Sequence, residues 1–299
     1  MEQMTARRVH KLIKPYVVKT GENFRLKNHD PAETHGLKSG DKPEAKRLTD
    51  EGVQLLSEMQ DKLHAQSNWG LLLIFQAMDA AGKDSTIKHV MSGVNPQGVD
   101  VFAFKEPSSG ELAHDFMWRT NRCLPARGKI GIFNRSYYEE VLVVRVHPEI
   151  LDKENIPTEL RREHFWKHRY EDINAFEKYL TRNGIAIRKF FLNVSRKEQK
   201  RRFLERLDNP DKNWKFSAAD VEERKYWDEY QAAYEKMIRN TASECAPWVV
   251  VPADNKWFSR LLVVATIVDA LSEMNLEYPK VSKAKLTALQ AARKELEKE

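Results

Sequence analysis

Two cysteines, Cys123 and Cys245, are the only thiols in 299 residues. They lie far apart and form no metal-ligand spacing, which argues against a disulfide framework and for a reducing compartment, the cytoplasm. No apolar run approaches the roughly 18 residues of a membrane span. No apolar stretch follows the opening Met-Glu-Gln-Met-Thr-Ala-Arg-Arg, so a secretory signal is not expected either. The chain shows no internal repeat and no low-complexity segment. His89, His114, His147, His164 and His168 stand without ligand spacing and read as structural residues.

What remains is a sequence with 41% apolar residues, enough for a sizeable core. The net charge is +6 and the pI about 9.1. A basic surface favours polyanions: nucleic acid, anionic membrane or polyphosphate. The charge gathers at 188–206, in Arg188, Lys189, Arg196, Lys197, Lys200, Arg201, Arg202 and Arg206. The bland alternative for such a run is a solvated helix face.

The sharpest local signal is Ala77-Met78-Asp79-Ala80-Ala81-Gly82-Lys83-Asp84-Ser85, which follows the apolar run Leu71–Phe75. A buried strand that breaks into small residues and then Gly-Lys resembles a phosphate-binding loop. Small side chains let backbone N–H groups turn toward a phosphate, and the next helix presents its positive end to the same anion. Ala80, Ala81, Gly82, Asp84 and Ser85 are the cradle candidates, and Lys83 adds a mobile charge. The pattern G-x-x-x-x-G-K-[ST] is broken twice, by Ala77 at the first Gly and by Asp84 at the Ser/Thr. Ala77 should therefore avoid positive φ. A carboxylate inside a phosphate cradle repels its ligand unless a cation lies between them. Asp79 is accordingly the first candidate to hold Mg²⁺, or Mn²⁺ in its place, or to orient the acceptor. Asp84, beside the helix start, is also suited to capping.

The periodicity predicts strands at Gly70–Phe75, Val99–Phe104, Lys129–Phe133, Ala186–Val194 and Trp248–Val251. Helices are predicted over Lys42–Ala65, Ser85–Gly93, Ser109–Cys123, Thr158–Asn183, 196–207, 218–244 and Phe258–Asn275. Residues 1–42 read as an extended arm and 282–299 as a charged helical tail, which leaves a catalytic domain at 43–281. Nearly all-apolar strands alternating with long helices imply an α/β fold: a parallel sheet covered on both faces. Such sheets bind ligands beyond their carboxyl ends. That rule gathers the loops at 76–86, 105–107, 134–138, 193–197 and 252–257 on one rim, with Asp79, Lys83, Lys105, Glu106, Arg135, Lys197 and Asp254.

Six stretches carry a more specific signal: Phe75–Asp84, Asn95–Gly98, Ala113–Arg119, Gly131–His147, Asn213–Ser217 and Ala246–Trp248. Together, and in this order, they resemble the second polyphosphate kinase family, and within it the subgroup acting on both nucleoside mono- and diphosphates. The resemblance implies a P-loop kinase-like sheet flanked by helices, with a helical lid at about 196–217. It also implies Mg²⁺ dependence and a homo-oligomer, dimer or tetramer. Asp79 and Lys83 match the family's loop acid and lysine, Arg135 its arginine after the third strand, and Arg201, Arg202 and Arg206 its lid. Much of the family ends the third strand on Asp; here it is Asn134, a poor metal ligand, so metal binding falls on Asp79.

A polyphosphate site should be a basic channel, since the ligand has charge but no base or sugar. Lys88 and Lys215 join the 188–206 cluster as candidates. For the nucleotide, Glu106, Asp115, Arg119, Arg122, Asn134 and Tyr137 lie on or near the rim. Asp115 and Arg119, one helical turn apart, also suit a plain surface ion pair. Tyr137 and Tyr138 could stack on a base or belong to the core, and the aromatic set at 165–179 suits core or subunit contact. Two rival functions are a monophosphate kinase with a nucleoside triphosphate donor and a nucleic-acid-binding P-loop protein. The first needs a donor-base pocket that the sequence does not offer. The second needs aromatics among the basic residues, and 196–206 holds only Phe203. The reading is therefore an enzyme that works without nucleic acid or membrane.

Overall fold

The computed structural model describes residues 6–299. Its centre is a six-stranded sheet of β1 (Val17–Val18), β2 (Gly70–Gln76), β3 (Val99–Ala103), β4 (Ile130–Asn134), β5 (Ile185–Asn193) and β6 (Trp248–Pro252). The spatial order is β1-β6-β5-β2-β4-β3, with every pair parallel except β1 with β6. β2 is buried along its whole length, which accounts for its unbroken apolar run. From β2 the chain leaves toward β3 and β4 on one side and later returns to β5 and β6 on the other. A crevice therefore opens at the carboxyl end of β2. Residues 75 and 134, at the ends of β2 and β4, are in register, so the loops after them meet.

The helices are α1 (Ala6–Ile13), α2 (Lys42–Gln66), α3 (Lys83–Val90), α4 (Ser109–Leu112), α5 (Trp118–Asn121), α6 (Val143–Val146), α7 (Phe165–Arg182), α8 (Arg196–Asp208), α9 (Ala218–Glu223), α10 (Trp227–Thr241), α11 (Lys256–Ser272) and, in the exposed tail, α12 (Lys283–Leu296). α11 is apolar almost all round because it is buried, packed against α2, α1 and α3. No helix among the described residues is long and apolar enough to cross a membrane.

Four segments differ from the pattern read in the sequence. Residues 6–41 are more than an extended arm: they supply α1 and β1, and Val9, Ile13, Tyr16, Phe24 and Leu26 enter the core. The helix expected over 109–123 is two short turns, because the Asp115 carboxylate accepts the Met117 N–H and bends the chain between them. The helix expected from 158 starts at Phe165. The one expected over 218–244 is divided by a 3₁₀ turn at 224–226. The tail 283–296 is helical, capped by Ser282, and fully exposed.

Candidate active site

β2 ends and α3 begins around the turn 77–82. Lys83 is buried, 8% exposed, and its Nζ donates to Ala77 O at 2.7 Å. Burial, reinforced by the nearby Arg135 charge, pushes the Lys83 ammonium below its ordinary pKa, while Asp79, Glu139 and Asp84 oppose the shift. Gly82 sits at φ 105°, the left-handed backbone that glycine permits. Ala80 also takes a positive φ, 60°, whereas Ala77 is not among the positive-φ residues. A side chain at such a φ stores strain on the order of 1–3 kcal/mol, so the surrounding structure has to hold it. The first N–H groups of α3 have no carbonyl one turn behind them and face the same turn.

Arg135, directly after β4, is held at φ 64° while its N–H donates to Phe75 O at 3.0 Å. Its Nη2 donates to the Asp79 carboxylate at 2.8 Å, and its Nη1 lies 4.0 Å from Glu139. Glu139 is pushed above the ordinary carboxylate range by burial, with Arg135 and Lys83 opposing the shift. Arg135 thus links two acids beside the phosphate loop, with the Lys83 ammonium close enough to feel all three charges. Asn134 Nδ2 donates to Asp84 Oδ1 at 2.7 Å. Asp84 is therefore tied across to the next strand and does not cap α3, whose N-cap is Gly82.

Two cavities meet here. One, of about 780 Å³, is floored by the phosphate loop and walled by Arg135, Asn134, Arg206, Lys212, Lys215 and Lys256, with Trp214 78% exposed at its mouth. The other, of about 380 Å³, is lined by Glu106, Asp115, Arg119, Glu139, Glu140 and Glu154 among others. Phe104, Lys105 and Arg135 border both. The loop cavity is lined by more basic than acidic side chains, with Glu205 and Asp220 among the acids, and the second cavity by side chains of both signs.

The expected residues divide sharply. Asp79, Ala80, Gly82, Lys83, Asp84, Ser85, Asn134, Arg135, Arg206 and Lys215 line the loop cavity; Ala81 is buried in the loop itself. Glu106, Asp115 and Arg119 line the second cavity. Asp115 and Arg119 form no ion pair among the described residues; Arg119 instead donates to Lys105 O at 2.7 Å and braces the 104–106 loop. Lys88 is exposed and borders neither cavity. Arg122 stacks on Trp118 at 4.6 Å, outside both. Arg201 pairs with Glu198 and Glu205 on α8 and borders neither cavity. Tyr137 borders the second cavity but is only 2% exposed, and its hydroxyl donates to Glu177 at 2.9 Å. It offers no open face for a base.

The run 188–206 is not one cluster in space. Arg188 pairs with Glu273 at the surface and Lys189 with Glu177 in the core. Of this run, the loop cavity is bordered by Arg202 and Arg206. Sequence reading passed over Lys212, Lys256, Glu139 and Glu140, whose carboxylate accepts from Arg169 Nε at 2.7 Å. Lys256 had a usable signal, since it lies within the rim loop 252–257. Glu139 had one too, one helical turn beyond Arg135.

Asp79 and Asp84 are the acids beside the loop that fit a hard cation. Mg²⁺ takes one or two carboxylates and fills its shell with phosphate oxygens and water. No group of three His, Cys, Asp or Glu that could close round a metal occurs among the described residues. An ion here would need the substrate's phosphates.

The profile described as polyphosphate kinase 2 matches residues 38–279. An ADP-polyphosphate phosphotransferase of Rhodopseudomonas palustris is 54% identical over 245 residues, 82% of this chain and 85% of that protein. An AMP/ADP-polyphosphate phosphotransferase of Meiothermus ruber is 42% identical over 267 residues, 89% and 96% of the two chains. The crystal structure of polyphosphate kinase 2 from Arthrobacter aurescens superposes with a TM-score of 0.83 at 41% identity, covering 92% of this chain and 95% of that one. With its phosphate loop, its P-loop kinase-like sheet and these similarities, the chain belongs to the polyphosphate kinase 2 family.

Proposed function

We propose that this protein transfers the terminal phosphoryl group of inorganic polyphosphate to nucleoside mono- and diphosphates, AMP to ADP and ADP to ATP, reversibly, with GMP and GDP as further acceptors. The observation that carries the reading is the pair of cavities joined at Arg135. The channel side offers cations and the phosphate loop, as a donor without base or sugar requires. The other side offers side chains of both signs, as a nucleotide requires.

An oxygen of the acceptor phosphate attacks the terminal phosphorus in line. The bond to the next bridging oxygen breaks, and that oxygen leaves with the shortened chain. Little covalent help is needed; positioning and charge neutralisation supply most of the catalysis. Lys83 and Arg135 lie where the moving group passes and balance its charge. Asp79 keeps Arg135 aimed at the junction. Mg²⁺, held by Asp79 with Asp84, would supply further neutralisation of phosphate oxygens when bound. Mn²⁺ suits the same donors. The reading includes a cytoplasmic location and a homo-oligomer, dimer or tetramer, whose size light scattering on the purified protein checks.

The test is a donor panel: polyphosphate, ATP and GTP, each offered with AMP and with ADP. Turnover of both acceptors with polyphosphate supports the reading. Phosphorylation of AMP by ATP but not by polyphosphate would replace it with a nucleoside monophosphate kinase.

A further inference from the structure

Arg202 lies in a basic run and borders the loop cavity, which makes it look like a phosphate ligand. Its hydrogen bonds say otherwise. It is 4% exposed. Nη1 donates to Ala81 O at 2.6 Å and Ala80 O at 3.2 Å. Nη2 donates to Ala253 O at 2.5 Å and Asp254 O at 3.3 Å, and Nε to Glu198 Oε1 at 2.8 Å. A guanidinium has five N–H donors, and five acceptors surround this one. One turn earlier on α8, buried Gln199 donates to Asp79 O at 2.9 Å. Three successive loop carbonyls, at 79, 80 and 81, are therefore held by two side chains of a single helix. The start of that helix is itself fastened, through Ser195 N–H to Asp254 Oδ1 at 2.8 Å.

We infer that Gln199 and Arg202 form a carbonyl clamp that positions the phosphate loop, and that Arg202 is not a ligand of the polyphosphate chain. A phosphate loop works when its N–H groups face the anion and its carbonyls face away. Carbonyls 79–81 turned inward would repel phosphate. The clamp turns them toward α8 and holds Ala80 in its left-handed backbone. It also fixes α8 to the loop, so the first turns of the expected lid cannot swing free of the site. The polyphosphate-binding cations are then those with donors to spare, Arg206 and Lys215 foremost. Among the described residues Arg206 makes one ion pair, a long one at 3.6 Å to Asp220, and lies over the Phe203 ring at 5.3 Å. The inference rests on the proposed reaction only in naming polyphosphate as the anion.

Lysine keeps the charge but cannot reach carbonyls on two separate loops at once. Arg202→Lys and Gln199→Ala are therefore the informative variants, with Arg202→Ala beside them. Kinetics and amide hydrogen exchange over residues 77–84 are measured on each folded variant. The clamp predicts that kcat falls on the order of 10- to 100-fold, the scale of an ångström-sized misplacement. The KM for polyphosphate and its salt dependence stay as in the wild type, and loop exchange quickens. Should Arg202→Ala fail to fold, the other two variants carry the test. A raised KM with flattened salt dependence and unchanged loop exchange would make Arg202 a channel ligand and overturn the inference. So would wild-type kcat and wild-type exchange in both Arg202→Lys and Gln199→Ala. Loop exchange reports the clamp even if the donor panel rejects polyphosphate, so the two readings fail separately.

Discussion

Lys189 and Lys83 are both buried lysines, and burial pushes both ammonium groups below their ordinary pKa. Lys189 is 0% exposed and gives its three N–H donors to Glu177 Oε2 at 2.6 Å, Thr241 O at 2.7 Å and Tyr138 hydroxyl at 2.9 Å. Glu177 in turn accepts both tyrosine hydroxyls, at 2.9 Å from Tyr137 and 2.7 Å from Tyr138. Nothing in that cluster is left to bind a ligand. Lys83 donates to one carbonyl among the described residues and borders a cavity of about 780 Å³. What separates architecture from chemistry here is spare hydrogen-bonding capacity beside open space. Arg202 and Arg206 repeat the contrast one turn apart on α8.

The largest effect expected from this comparison is on stability. Lys189→Met strands the Glu177 carboxylate in the core, and breaking such a pair costs about 3–5 kcal/mol. Denaturant unfolding measures the loss, and the double variant with Glu177→Leu should recover part of it. A loss under about 1 kcal/mol, the scale of a surface pair, would mean the cluster is not structural.

The next effect is catalytic. Asp79→Asn should lower kcat on the order of 100-fold or more, the scale of losing one preorganised charged partner. Asn134→Ala should cost less, since Asn134 holds Asp84 and carries no charge of its own. The reverse ranking in steady-state assays would move the metal-binding role toward β4.

Smaller again are the channel effects. Arg206→Ala and Lys215→Ala should raise the KM for polyphosphate several-fold and flatten its salt dependence, because partly exposed charges are screened within about 8–10 Å. Arg201→Ala, already paired with two glutamates and off the cavity, should change neither. An equal response from Arg201 would show that the outer face of α8 carries the chain.

A separate effect is on the pH dependence of stability. Glu154, beside Glu140 in the second cavity, is pushed up to about 7 by burial, then by the Glu140 charge. A carboxyl group with a raised folded-state pKa stabilises the fold at low pH and loses that contribution as pH rises from about 4.5 to about 7. Glu154→Gln should match the wild type near pH 4 and melt higher than it at pH 8. Equal melting temperatures at pH 8 would mean that Glu154 ionises without penalty.

The sheet and the phosphate loop were legible because their signals are local. Leu71–Phe75 is apolar from end to end, and Gly82-Lys83 follows within ten residues. β1 was not legible, since two residues cannot show a period. The breaks at Asp115 and at 224–226 were hidden inside patterns that satisfy a continuous helix equally well. The basic run 188–206 misled for a geometric reason: a strand and a helix send neighbouring residues to different places. Lys189 points into the core from β5, Arg201 to solvent, and Arg202 to a loop some 120 positions earlier in the chain, its partners Ala80 and Ala81. Which charges were spent could be read only once both ends of each contact were in space.

The most direct measurement of that distinction is single-turnover phosphoryl transfer from polyphosphate to ADP by Lys83→Met, alongside its thermal unfolding. The spare donors of Lys83 predict a melting temperature close to that of the wild type and a transfer rate lower on the order of 1,000-fold, the upper range for removing one preorganised donor. A folded Lys83→Met variant that transfers within about tenfold of the wild-type rate, a difference of only about 1.4 kcal/mol in barrier, would contradict the account.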